Sequence, residues 1–253
     1  MQSLFTRTEM LFGTAAMQAL EATHVAVFGV GGVGSYVVEV LARSGIGQLT
    51  LIDNDVVSPS NINRQLVALH STVGQKKVEV ARQRVLDINP RCVVRTYPLF
   101  YLPENADQID LSTCNYVADC IDTVAAKIEL IRRCHALQVP VIASMGAANK
   151  LDPTRFKVTD VFETRMDPLA KVLRKKLRKL GIDSLRVVCS DEPPLEPLSI
   201  ASQHTAVDAA SLQTNPKRAI PASNSFVPAA AGLVLGGQIV KDLIAKAGAM
   251  RNS

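Results

Sequence analysis

The chain has 253 residues and a formal charge of +5, from 28 Lys and Arg against 23 Asp and Glu. At ~100–200 residues per domain, that length suits one large domain or a domain with an appendage. Hydrophobic residues make up 47%, which excludes intrinsic disorder, and aromatics only 4% with no Trp, so the core is built from Val, Ile, Leu and Ala.

The first seven residues show no basic stretch leading into an apolar run, so no secretory signal is expected. His24–Val30 is a short β-rich run ending in glycines, as in a buried parallel strand. Residues 34–43 have helical spacing, with Val37, Val40 and Leu41 apolar, and Gln48–Asp53 is a second strand ending in acids. A second helix is predicted over 74–89, stopped by Pro90. Strands follow at 92–97 and 116–119, then a helix over 123–137 and a strand over 140–144. Alternation of this kind implies an α/β fold: a Rossmann-like doubly wound sheet, parallel through its first half. The pattern breaks near residue 145. Residues 155–160 alternate like a strand with one exposed face, a helix runs over 167–180, residues 190–222 read as loop, and 228–246 form a closing helix. Antiparallel strands and helices are therefore expected in the C-terminal half. The apolar run over 226–237 is short of the ~18–20 residues of a membrane span, so it reads as a buried helix and no membrane partner is expected. Cys92, Cys114, Cys120, Cys134 and Cys189 are odd in number and form no CxxC, against a disulfide framework or a four-cysteine zinc site. A cytoplasmic protein fits best.

The charge is concentrated. Residues 151–190 hold ten Lys or Arg against five acids, so this stretch carries the whole net charge and the rest is balanced. Any surface for a polyanion is local. On the helix over 167–180 the apolar residues Leu169, Val172, Leu173, Leu177 and Leu180 share one face. Lys171, Arg174, Lys175, Arg178 and Lys179 spread over the remainder, either as a solvated surface or as a footprint for a nucleic-acid backbone.

Gly29-Val-Gly31-Gly32-Val-Gly34 follows a strand and opens a helix, the context in which glycines let the backbone approach a phosphate at a helix N-terminus. Asp53, at the end of the next strand, is placed to accept from ribose hydroxyls. This pattern points to a nucleotide without specifying NAD. The residues after it argue against hydride transfer: Asp55, then Asn61, Arg64 and Gln65 in SNINRQ, then Lys77 in GQKK, then Asp122 in DCIDT. Two cations and an amide beside a phosphate cradle suit a triphosphate, and a carboxylate ending the fourth strand can hold Mg²⁺. Asp122 is also placed to cap the helix that follows.

GVGGVGS (29–35), LIDND (51–55), SNINRQ (60–65), GQKKVE (74–79) and DCIDT (119–123) together resemble the E1-like ThiF/MoeB adenylating enzymes. That resemblance implies ATP, with Asp53 on the ribose, Arg64 and Lys77 on the phosphates, Asp122 on magnesium, and Asn61 and Gln65 lining the pocket. Arg7, in FTRTE, matches the arginine that the family donates to its partner's ATP, which implies a homodimer with composite sites. The zinc-binding CxxC pairs of many relatives are absent. Further segments (GAANKLDPT, DPLA…LRKKLR…GI and VCSDEP) resemble the branch of the family that dehydrates threonylcarbamoyladenosine in tRNA. That branch implies tRNA as substrate and gives the basic helix a role. It also implies a single E1-like domain over 1–253: a nucleotide-binding half (1–150), a basic insert (151–190) and a closing helix (223–253). The implied chemistry needs no thiol, so Cys189 is read as incidental. Lys150 and Asp152 are weaker candidates for substrate contact. Two alternatives stay open: adenylation of the C-terminal carboxylate of a ubiquitin-like or sulfur-carrier protein, and a non-catalytic adapter for sulfur-transfer proteins. A monovalent-cation requirement is also open.

Overall fold

The computed structural model describes residues 4–198 and 221–250. In chain order the elements are α1 (Thr6–Phe12), α2 (Thr14–Glu21), β1 (His24–Phe28), α3 (Gly34–Arg43), β2 (Gln48–Ile52), α4 (Lys77–Ile88) and β3 (Val93–Tyr97). Then come β4 (Tyr116–Asp119), α5 (Val124–Ala136), β5 (Val141–Ser144), β6 (Phe156–Asp160), α6 (Pro168–Lys179), β7 (Arg186–Ser190) and α7 (Val227–Lys246). The strands form one seven-stranded sheet in the order β3-β2-β1-β4-β5-β7-β6. Every neighbouring pair is parallel except β6 with β7. The doubly wound expectation holds, and its parallel part runs further than expected. Residues 186–190 were not expected as a strand, yet they lie parallel to β5 and leave β6 alone as an antiparallel edge strand.

Strand alternation divides the core between the two faces of the sheet. Val25, Val27, Leu49, Leu51, Ala118, Ile142 and Val188 pack on one side with α3, α4 and α7. On the other, Phe28, Val117 and Leu130 form one cluster under α5, and Ala143, Val187, Leu173 and Leu177 form a second under α6. The face between α3 and α7 is unusually close, because side chains are missing where the helices cross. A Cβ on Gly232 would lie 2.4 Å from the Val33 carbonyl oxygen, and one on Gly236 would lie 2.8 Å from the Val40 Cβ. Among the described residues α7 is the helix long and apolar enough to cross a membrane. Its Val227, Ala231, Leu235, Ile239 and Leu243 are instead buried in the core.

Several boundaries shift for local reasons. The helix expected from residue 74 begins at Lys77, because Gly74 has φ +85° and Lys76 is extended. It stops before Pro90, as expected. α1 and α2 had no counterpart in the sequence reading, and residues 191–198 are irregular, as predicted. Of the rest of the loop expected over 190–222, Ser190 instead ends β7, residues 221–222 are irregular, and 199–220 lie outside the described residues.

Candidate functional site

The chain leaves β1 toward β2 on one side of the sheet and leaves β4 toward β5 on the other. The crevice between the carboxyl ends of β1 and β4 is thus the topological switch point, where open α/β sheets bind ligands. Three loops meet there: 29–34 after β1, 53–55 after β2 and 120–122 after β4. The glycine turn is held by contact. Gly29 has φ +85°, and a Cβ on it would lie 2.7 Å from the Cys120 carbonyl oxygen. A Cβ on Gly34 would fall 1.8 Å from the Gly29 carbonyl oxygen. Gly31 and Gly32 are different: their nearest neighbours are the side chains of Gln65, Arg64 and Pro228, at 3.3 Å or more. Two glycines therefore shape the turn, and two keep its surface clear. No side chain caps the start of α3, so its N-terminus is available to an anion.

Asp53 stands at the edge of this turn. Its Oδ2 accepts from the Val30 N–H at 2.6 Å and its Oδ1 from the Asp55 N–H at 2.8 Å. Burial pushes its carboxyl above the ordinary aspartate value, opposed by the Lys77 charge and these two N–H groups. Lys77 is buried at the first position of α4, with Nζ 2.7 Å from Asp55 Oδ2. Its side chain is 5% exposed and that of Asp55 57%, so the ammonium lies beneath a carboxylate at the surface. In the turn after Pro59, the Asn61 carboxamide oxygen accepts from the Ser58 N–H at 3.1 Å. Arg64 Nη1 donates to the Ser60 carbonyl at 3.0 Å and the Asn63 side chain at 2.9 Å. Gln65 is buried, and its Oε1 has no hydrogen-bond partner. The Nε2 of the same carboxamide would lie 3.8 Å from a Cβ on Gly31, so this side chain is beside the glycine turn.

The loop after β4 corrects one expectation and adds a residue. Asp122 is exposed and does not cap α5: Thr123 holds the N-cap position and makes no side-chain cap bond. Among the described residues, the Asp122 Oδ1 accepts one long contact, 3.4 Å from the Thr123 hydroxyl. Below it lies a pair that the sequence reading did not pick out. Asp119, ending β4, and Lys127, one turn into α5, are both 0% exposed, with Nζ 2.9 Å from Oδ1. Burial raises the Asp119 carboxyl above its ordinary value, and Lys127 opposes that shift. The only sequence signal was a lysine on the apolar side of a helix.

Arg7 is exposed on α1, remote in sequence from the crevice loops. Leu4, Met10 and Leu11 share its exposure, at 67%, 74% and 65%. On α6, Leu173 and Leu177 are buried as the spacing requires and Leu169 is half-buried, but Val172 and Leu180 are 42% and 45% exposed, contrary to expectation, and Ala170 completes the buried stripe. Arg174 also departs from its expected place. Its guanidinium turns inward to the Thr164 hydroxyl and the Val161 carbonyl, because it projects from the flank of the buried stripe. Lys171, Lys175, Arg178 and Lys179 face solvent, joined by Lys176, and Arg178 lies 5.2 Å from the centre of the Phe162 ring. Asp167 caps the helix and accepts from the Gly146 N–H at 2.9 Å, so α6 begins at the crevice edge of the sheet and runs away from it.

Lys150 and Asp152 are occupied by structure. Lys150 is buried with Nζ on the Glu192 carbonyl, and Asp152 accepts from the Thr154 N–H at 2.9 Å. Cys189 faces the core from β7, and burial pushes its thiol up to about 12, far from a thiolate at neutral pH. Cys120, against the glycine turn, is likewise pushed up to about 12 by burial.

These residues fit a magnesium–nucleotide complex. Magnesium takes one or two carboxylates together with phosphate oxygens and water, and Asp122 with few protein contacts suits that habit. No cluster of three or more potential metal ligands occurs among the described residues. Comparison with known proteins covers nearly the whole chain. The sequence profile of the ThiF family matches residues 5–220. The tRNA threonylcarbamoyladenosine dehydratase of Bacillus subtilis (strain 168) is 45% identical over 241 residues, covering 95% of this chain and 94% of that protein. The Escherichia coli (strain K12) protein of the same name is 38% identical over 258 residues, covering 96% and 94%. The crystal structure of the E. coli dehydratase TcdA with ATP superposes with a TM-score of 0.84 at 35% identity, over 96% of this chain and 95% of that one. The likeness extends past the nucleotide half into the C-terminal strands and helices, and the chain belongs to the ThiF family.

Proposed function

We propose that this chain is an ATP-dependent tRNA threonylcarbamoyladenosine dehydratase, acting as a homodimer in the cytoplasm. The observation that carries this reading is the near-full-length identity of 45% to a dehydratase of that name, which includes the C-terminal half. The crevice supplies the parts the chemistry needs. A free carboxylate is a poor electrophile because its leaving group would be oxide. Attack of the threonylcarbamoyl carboxylate on the α-phosphorus of ATP expels pyrophosphate and leaves an acyl-adenylate. A nucleophile within the same modification then attacks the activated carbonyl at high effective molarity and expels AMP, closing a ring with the net loss of one water. Asp53 orients the ribose, while Gly31, Gly32 and the N-terminus of α3 receive the phosphates. Arg64, Lys77 and the partner's Arg7 offset phosphate charge. Lys77 exchanges Asp55 for phosphate as the nucleotide enters. Asn61 and Gln65 line the pocket, and Asp122 holds magnesium, which supplies charge neutralisation when bound. The exposed apolar side chains around Arg7 support a dimer in which α1 meets the other copy. The five-residue cationic surface of α6, Lys171, Lys175, Lys176, Arg178 and Lys179, supports a tRNA-backbone contact.

The test is direct. The purified protein is incubated with ATP, magnesium and tRNA carrying threonylcarbamoyladenosine, and the tRNA is digested for nucleoside mass spectrometry. Loss of one water from the modified nucleoside supports the reading. ATP consumption that needs a Gly-Gly-tailed protein instead would favour the sulfur-carrier alternative.

A further inference from the structure

We propose that the buried Lys127–Asp119 pair is the positioning element of the crevice, holding the backbone of residues 120–122 so that Asp122 can present its carboxylate to magnesium on the nucleotide. This rests on the reading of Asp122 as the magnesium residue. Lys127 Nζ lies 2.9 Å from Asp119 Oδ1 and 3.4 Å from the Asp119 carbonyl oxygen. The same Oδ1 accepts from the Ile121 N–H at 3.2 Å. One ammonium and one carboxylate thus grip the main chain on both sides of Cys120. The opposite side is held by β1: the Cys120 N–H donates to the Phe28 carbonyl at 2.8 Å, and the Cys120 carbonyl lies where a Cβ on Gly29 would fall. Asp122 itself is exposed, so its place depends on the loop beneath it.

The composition of the pair also argues for position over stability. Two charges at 0% exposure lose their hydration, and an aliphatic pair of similar volume generally stabilises a fold as well or better. An aliphatic pair cannot bond to a carbonyl and an N–H at the end of a strand. All of the directional interaction of Asp119 runs through Oδ1, since Oδ2 is buried with no partner.

The experiment measures ATP affinity of the full chain by calorimetry, in magnesium and in EDTA, beside thermal melting. Wild type gains affinity in magnesium, and Asp122→Asn is expected to lose about tenfold of that gain. Asp119→Leu/Lys127→Met is expected to lose a similar gain, while its melting temperature and its affinity in EDTA stay near wild type. Adding Asp122→Asn to that variant should cost no more than about twofold, because the two act as one unit. Lys127→Arg, which keeps a cation and donors under the loop, should retain the gain and covers the case in which the double variant does not fold. A double variant that keeps the gain while Asp122→Asn loses it overturns the proposal. An equal loss in magnesium and EDTA also overturns it, since that is a general structural effect, as does loss of the gain in a folded Lys127→Arg. If Asp122→Asn keeps the full gain, the reading of Asp122 fails first and this inference falls with it.

Discussion

Gly34 and Gly31 sit three residues apart in one motif, and the structure gives them different constraints. A methyl at Gly34 would fall 1.8 Å from the Gly29 carbonyl oxygen, so the turn has to open. Gly34→Ala is expected to lower stability by about 1–3 kcal/mol, the usual cost of overpacking, and to reduce ATP affinity at least severalfold. Gly31→Ala meets nothing closer than 3.8 Å and should melt near wild type, so it tests ligand clearance alone. Melting curves and calorimetric ATP titration on both variants check this. The motif was readable because glycine spacing is local chemistry. Its division of labour was not, because the atoms that crowd Gly29 and Gly34 belong to Cys120 and to the turn itself. The role of Lys127 was hidden for a similar reason: its place on the apolar side of α5 is visible in the spacing, but its partner Asp119 is on another element.

At the scale of the element, α6 shows both the strength and the limit of periodicity. The buried stripe at Ala170, Leu173 and Leu177 follows helical spacing. Which flanking residues stay wet depends on the neighbours: Val172 and Leu180 are left outside, and Arg174 is drawn in by Thr164. Replacing Lys171, Lys175 and Lys179 with Gln should therefore weaken tRNA binding across sequences and flatten its salt dependence by roughly 2–3 units of slope. Arg174→Gln should act on melting temperature instead. Filter binding over a salt series separates the two. Binding unchanged in the triple variant would return the helix to an ordinary solvated surface. β7 escaped the sequence reading because three of its five residues, Val187, Val188 and Cys189, are apolar without alternation, as in a strand buried on both faces.

At the scale of the whole molecule, the nucleotide site as proposed is incomplete in one chain, since Arg7 acts in the partner. Arg7→Ala and Lys77→Ala homodimers should each be nearly inactive. An equimolar mixture after subunit exchange should regain about a quarter of wild-type activity per chain, because half of its dimers are mixed and each mixed dimer carries one intact composite site of two. No recovery of activity would overturn the assignment of Arg7 to the partner's site. Short motifs with local chemistry specify the strands, the glycine turn and the polar side chains of the crevice proposed to hold the nucleotide. The sequence by itself also determined where the surplus positive charge lies. Tertiary structure alone decided that β7 extends the parallel sheet, that α7 closes on α3 through Gly232 and Gly236, and that Arg174 and Lys150 serve packing. It alone decided, too, that a lysine from α5 lies under the loop of Asp122. These outcomes depend on which distant residues fill the same space, and burial, unlike a motif, is a property of neighbours brought together by the fold.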